Sequence, residues 1–95
     1  LNDKYYRGMA FEFHVRDYYR RLGYFCHRSP HSRGVADLIA IRLYDMLLIQ
    51  CKVGGKIKRE AREGLIVTAN SVGAKPLMAT KNKLTGELVI SEVQL

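Results

Sequence analysis

Cysteine and acid are scarce in this chain, and a long apolar run is missing altogether. Two cysteines among 95 residues, Cys26 and Cys51, do not make a disulfide framework. Both fall in apolar, strand-like runs, where a thiol behaves as a small buried hydrophobe. No Cys-x-x-Cys occurs, and His14, His27 and His31 lack ligand spacing, which argues against zinc. Free thiols fit a reducing, intracellular, cytoplasmic setting. Nothing in the sequence is apolar for long enough to span a bilayer as a helix, so no membrane partner is expected. No signal-peptide pattern opens the chain, and the first residue, Leu1, reads as a trimmed start. Repeats, low-complexity stretches and linkers are also missing. One domain over residues 1–95 is expected, with a small core that dimerisation would extend.

The scarcity of acid leaves a strong imbalance. Sixteen Lys and Arg face nine Asp and Glu, for a net charge of +7. The cations come in groups: Arg20, Arg21, Arg28 and Arg33, then Lys52, Lys56, Lys58, Arg59 and Arg62. Grouping of this kind favours a polyanionic partner, nucleic acid before a membrane surface.

Periodicity gives the elements. A helix is expected from near Asp3 to Leu22, capped by Asn2 or Asp3 and closed by Gly23. Its apolar stripe reads as Phe11, Val15, Tyr18 and Leu22, with Gly8, Glu12 and Tyr19 along the same face. Lys4, Arg7, Asp17 and Arg21 are expected to face away. A strand over 24–28 follows, then a polar turn-rich loop over 29–34. Strands over 35–41 and 46–53, with a turn near Tyr44-Asp45, make an antiparallel hairpin. Gly54-Gly55 breaks the pattern. A second helix is expected over 58–72, with Ala61, Leu65, Ala69 and Val72 inward and Gly73 at its end. A last strand pair, 76–80 and 88–91, turns at Thr85-Gly86. The fold class is α/β, in the order α-β-β-β-α-β-β.

Four polar residues interrupt this apolar framework: Glu12, Asp37, Gln50 and Lys52. Burying such groups is costly unless they are paired or bind a metal. Strand alternation puts Gln50 and Lys52 on one face. Asp37 on the partner strand and Glu12 on the neighbouring helix can reach the same place. Two carboxylates, an amide oxygen and an ammonium would then converge. Hard oxygen ligands suit Mg²⁺ or Mn²⁺, and such a cation can polarise a phosphodiester and activate water.

In these residues the chain resembles the archaeal-type Holliday-junction resolvases, within the PD-(D/E)xK nuclease superfamily. The likeness rests on Arg7-Gly8-Met9-Ala10-Phe11-Glu12, on Leu22-Gly23-Tyr24 and on Arg28-Ser29-Pro30-His31-Ser32. It continues in Val35-Ala36-Asp37-Leu38-Ile39-Ala40 and Leu48-Ile49-Gln50-Cys51-Lys52. It covers nearly the whole chain. It implies a restriction-endonuclease-like mixed β-sheet flanked by helices. The implied activity is that of a homodimeric, divalent-metal-dependent endonuclease acting in DNA recombination and repair, cutting four-way DNA junctions in paired strands. Glu12 and Asp37 would be metal-site acids, Gln50 would stand at the third metal position, and Lys52 would be the catalytic lysine. Ser32 or Ser29 would be the loop hydroxyl near the scissile phosphate, with Ser32 favoured. Arg20, Arg28, Arg33, Lys56, Lys58, Arg59 and Arg62 would bind DNA around the site.

There are two departures from the family pattern. Ala36 replaces the proline before the aspartate, and Gln50 replaces the acid of (D/E)xK. The amide can ligate a cation but brings no charge. Two other readings follow: a restriction- or repair-type nuclease of the same superfamily, or a non-catalytic DNA-binding module with a degenerate site. An apolar patch of Leu65, Ile66, Val67, Leu88, Val89 and Ile90 is the candidate dimer surface.

Overall fold

The computed structural model describes residues 3–29, 34–54 and 56–94. Two helices, α1 (Asp3–Arg21) and α2 (Arg59–Val72), flank five strands. These are β1 (Phe25–Arg28), β2 (Leu38–Arg42), β3 (Asp45–Lys52), β4 (Lys75–Lys81) and β5 (Leu88–Glu92). The element order is the expected one. The sheet runs β1-β2-β3-β4-β5, antiparallel except for the β3–β4 pair, which is parallel. Parallel neighbours need a long crossover, and α2 supplies it.

Each sheet face has its own core. On one, Phe11, Val15 and Tyr19 of α1 pack against Cys26, Leu38, Ala40, Leu47, Ile49, Leu77 and Ala79. On the other, Leu65 and Ala69 of α2 meet Ala36, Leu48, Ala74 and Val93. The alternation along β3 is clean: Leu47 and Ile49 face α1, while Leu48 faces α2. Full burial of a side chain such as Val15 or Ile49 is worth about 1.5–3 kcal/mol.

The α1 stripe differs from expectation in one respect. It runs Phe11, Val15, Tyr19, in steps of four, and Leu22 is 47% exposed. The helix closes before Leu22 can turn inward. Gly23 adopts a left-handed φ of 92°, its N–H reaches Arg20 O, and Tyr24 N–H reaches Tyr19 O, both at 3.0 Å. That pair of hydrogen bonds, around a left-handed glycine, is the Schellman helix stop. It brings Tyr24 edge-on to Tyr19, ring centroids 5.3 Å apart, so Tyr24 fills the place expected of Leu22.

The α2 face is also narrower than expected. Leu65 and Ala69 are buried, but Ala61 and Val72 are exposed, because both lie at helix ends where the sheet no longer backs them. Leu65 belongs to the core and not to a surface patch. Val67 is the outward residue of that helix, at 67% exposure, and Leu88 and Ile90 pack partly against the α1-side core. Among the described residues no helix is long and apolar enough to cross a membrane.

Candidate active site

The β2–β3 hairpin has two ends, and the site lies at the open one. Strand β2 begins at Leu38, later than expected. Asp37 N–H donates to Ile49 O at 2.9 Å, yet Leu38 is the residue in register with Ile49. Two residues therefore meet one, the signature of a β-bulge. The bulge breaks alternation, which is why Ala36 joins the α2-side core while Leu38 joins the other. Ser29 N–H donates to Asp37 O at 2.8 Å and holds the bulge from the β1 side.

Past the bulge the ladder between β2 and β3 ends. Gln50, Cys51 and Lys52 pair only with Met78, Ala79 and Thr80 of β4. The Asp37 carboxylate takes up the vacated position: its Oδ2 accepts the Cys51 N–H at 2.8 Å. An aspartate only 8% exposed is thus pinned beside the segment that carries Gln50 and Lys52. Burial pushes its pKa up. The Cys51 N–H draws it back, the Glu12 charge raises it, and Arg28 and Lys52 lower it. Burial also pushes the neighbouring Cys51 thiol far up, with Asp37 and Glu12 adding to the shift. It is an uncharged filler beside the acids.

Glu12 comes from α1. Its Oε1 accepts Arg28 Nε–H at 2.9 Å, and both side chains are largely shielded. The Arg28 guanidinium also lies over the Phe13 ring, 4.7 Å from its centroid, with Arg16 over the same ring at 4.8 Å. Arg28 is therefore a fixed partner of Glu12 as well as a candidate DNA contact. A pocket of about 360 Å³ joins Glu12 to Lys52, with Lys4, Gly8, Phe11, Cys51, Val53 and Gly54 completing its lining. A Cβ added at Gly8 would touch nothing within 4 Å, so the helix is open to solvent one turn before Glu12.

Glu12, Asp37 and Lys52 thus come within electrostatic reach of one another. Gln50 enters through its position in β3, half-buried and next to Cys51; alternation assigns it to the Leu48 face. Ser32 and Arg33 lie outside the described residues. Of the remaining expected DNA contacts, Arg20 is tied to β1, its Nε donating to Cys26 O at 3.0 Å. Arg59 pairs with Glu63 at 2.9 Å, and Arg62 is half-buried with its Nε shielded and unbonded. Lys56 and Lys58 are exposed.

Sequence reasoning missed Lys4. It was expected to face solvent, away from the stripe, yet it lines the pocket of Glu12. The spacing held the signal: Lys4, Gly8 and Glu12 are four residues apart and share one helix face. Lys83 carried no such signal, because it lies in a turn that only the return of the sheet brings back to Gly54.

Among the described residues, no three His, Cys, Asp or Glu side chains gather as a cation site of protein ligands alone would require. Two carboxylates do approach. Each commits one oxygen to a neighbour, leaving Glu12 Oε2 and Asp37 Oδ1. This donor set fits a small hard dication such as Mg²⁺, which keeps several waters and takes one or two carboxylates plus substrate phosphates.

Comparison with known proteins places the chain among relatives. A model of the archaeal Holliday junction resolvase (Hjc) family matches residues 3–95. The chain is similar to the crossover junction endodeoxyribonuclease Hjc of Methanocaldococcus jannaschii, 34% identical over 93 residues, spanning 94% of this chain and 68% of that protein. It also superposes on the structure of Archaeoglobus fulgidus Hjc, a Holliday junction resolvase from an archaeal hyperthermophile. The TM-score is 0.80 at 21% identity, covering 93% of this chain and 74% of that one. That second likeness concerns the fold.

Proposed function

The chain belongs to the archaeal Holliday junction resolvase family, and from that premise we propose that it is an intracellular, divalent-metal-dependent endonuclease that resolves four-way DNA junctions. The observation that carries the reading is the meeting of Glu12, Asp37 and Lys52 where β2 leaves the ladder. Residues 1–95 would work as one nuclease domain. Two strands must be cut symmetrically and each chain offers one site, so the working unit is a two-fold homodimer.

In this reading Asp37 Oδ1 and Glu12 Oε2 would hold Mg²⁺ or Mn²⁺, and the Gln50 amide would reach the cation as a neutral third donor from the Leu48 face, across the edge that β2 leaves open. A dication there would polarise the scissile phosphodiester and lower the pKa of an attacking water. Asp37 is held for that role by the Cys51 N–H, which fixes the carboxylate without neutralising it. Arg28 fixes Glu12 differently, through a salt bridge that sets a cation against one oxygen while the guanidinium rests on the Phe13 ring. The exposed Lys52 ammonium faces the charge that builds on the phosphoryl oxygens in the transition state. Ser32 and Ser29 are candidates for contact with the adjoining phosphate. Base readout is not required, since phosphate contacts position a protein on DNA without specifying sequence.

The test is cleavage of a labelled four-way junction against a plain duplex, with Mg²⁺ and then Mn²⁺. Symmetric nicks confined to the junction are expected. Duplex cutting would instead favour a restriction- or repair-type nuclease. Binding without cutting would mean that Gln50 marks a degenerate site.

A further inference from the structure

A second group of cations gathers away from α2, beside the candidate site. A groove of about 490 Å³ is lined by Lys4, Arg7, Lys52, Lys56 and Lys83, with Val53 and Gly54 as its floor. Five cations and no acid surround it. Three separate parts of the chain supply them: the first turns of α1, the end of β3 with the segment after it, and the β4–β5 turn. The groove shares Lys4, Lys52, Val53 and Gly54 with the pocket that holds Glu12. It is therefore continuous with the site.

Charges of one sign repel; Lys52 is offset by Asp37, but gathering Lys4, Arg7, Lys56 and Lys83 beside it is destabilising unless a polyanion visits them. Nothing in the sequence order forces the meeting. Lys4 and Lys83 are brought together by tertiary packing alone, and the Lys83 side chain lies against Gly54, where an added Cβ would stand 3.7 Å from Lys83 Cε. The α2 cations differ. Arg59 is engaged with Glu63, and Arg62 is half-buried.

We propose that the Lys4–Arg7–Lys56–Lys83 groove is the track for the DNA strand flanking the scissile phosphate, and that it carries more of the binding than the cations of α2. The proposal rests on the nuclease reading of the adjoining site. It adds the path by which the phosphodiester backbone enters. The open surface at Gly8, between Lys4 and Glu12, leaves that path clear.

Junction binding is measured without divalent metal, so that no cutting intrudes, across a series of salt concentrations. The groove variant Lys4→Ala/Arg7→Ala/Lys83→Ala is compared with Arg21→Ala/Arg59→Ala/Lys75→Ala, which removes the same charge elsewhere. All six are exposed, so both variants should fold, and circular dichroism checks this. Each lost phosphate contact lowers the slope of log K against log salt by about 0.9 on duplex arms. The groove variant should lose about 2–3 units of slope and on the order of ten- to a hundredfold in affinity at moderate salt. The control variant should lose less than about one unit of slope. Equal losses in the two would mean that net charge alone steers the DNA, and the track would be rejected. A larger loss in the control would return the binding surface to the other faces. A chain that binds and never cuts would sink the nuclease reading while leaving these slopes to decide the groove.

Discussion

Asp45 and Asp37 sit at opposite ends of the same hairpin and teach opposite lessons. At the closed end, Asp45 accepts a hydrogen bond from the Tyr24 hydroxyl. It lies 3.8 Å from Arg42, whose guanidinium stacks on the Tyr24 ring at 4.3 Å and donates to Leu22 O at 2.9 Å. Aromatic, cation and acid form a closed set that ties the hairpin turn to the end of α1. At the open end, Asp37 is more deeply buried, holds one backbone N–H and shares its surroundings with a second acid, Glu12. Residue types alone do not separate a structural carboxylate from a working one. The difference lies in the company each carboxylate keeps: Asp45 Oδ2 meets a phenol and a guanidinium, whereas among the described residues Asp37 has only a backbone N–H on Oδ2 and a second acid, Glu12, in its surroundings.

The largest effect should come from exchanging charge for amide at each end. Asp37→Asn should abolish junction cutting, by three orders of magnitude or more, while junction binding stays within about tenfold because phosphate contacts carry the affinity. The same variant should be more stable than the unmodified chain at neutral pH, by about 1 kcal/mol, since the site is held at a cost in stability. The sign follows from the raised pKa. The folded chain binds the Asp37 proton more tightly than the unfolded one. Stability from this group therefore rises as pH falls into the carboxylate range and is lost as pH climbs through the folded pKa. Asp45→Asn should do the reverse: cutting retained, stability reduced by about 1–2 kcal/mol as a charged hydrogen bond is lost. Thermal melts and cleavage rates on both variants check the contrast. It collapses if Asp37→Asn destabilises the fold as Asp45→Asn does.

A smaller effect is expected at Gln50. The open end carries two acids where the family pattern has three. Gln50→Glu restores that third acid next to Cys51, whose N–H holds Asp37, at a half-buried position where an added charge would act strongly on a dication within its reach. The Mg²⁺ concentration for half-maximal cleavage should fall by roughly three- to tenfold. A chain that is inert until this substitution would mark Gln50 as an inactivating change. An unmoved titration would remove Gln50 from the metal's surroundings.

The smallest effect belongs to the closed end. Tyr44, 98% exposed, occupies the hairpin turn with a φ of 60°. An L-residue there is strained by about 1 kcal/mol relative to glycine. Tyr44→Gly should raise stability by up to that amount, measured by urea titration, and leave cutting unchanged.

The elements were legible in the sequence because their signals are local. Gly23 and Gly73 stand where left-handed stops are needed, with φ of 92° and 74°, and two-residue alternation marks β2 and β3. Leu22 misled because the helix stop takes precedence over the stripe within one residue of the end. Asp37 was legible because an acid inside an apolar run has few structural explanations. Arg28 was legible only as a cation. Its bond to Glu12 spans sixteen positions in sequence, and no spacing rule reaches that far.

The sequence by itself determined the order of elements, the two amphipathic helices, the apolar strands and the acid, amide and lysine embedded in them. These follow from propensity and period, which act over a few residues. Only the tertiary structure decided which of those groups meet. It set the bulge that turns Asp37 toward the Cys51 N–H, the Arg28 clasp on Glu12, and the gathering of Lys4, Lys56 and Lys83. Those are contacts between segments far apart in the chain, and sheet registry and helix packing, rather than local preference, bring them into range.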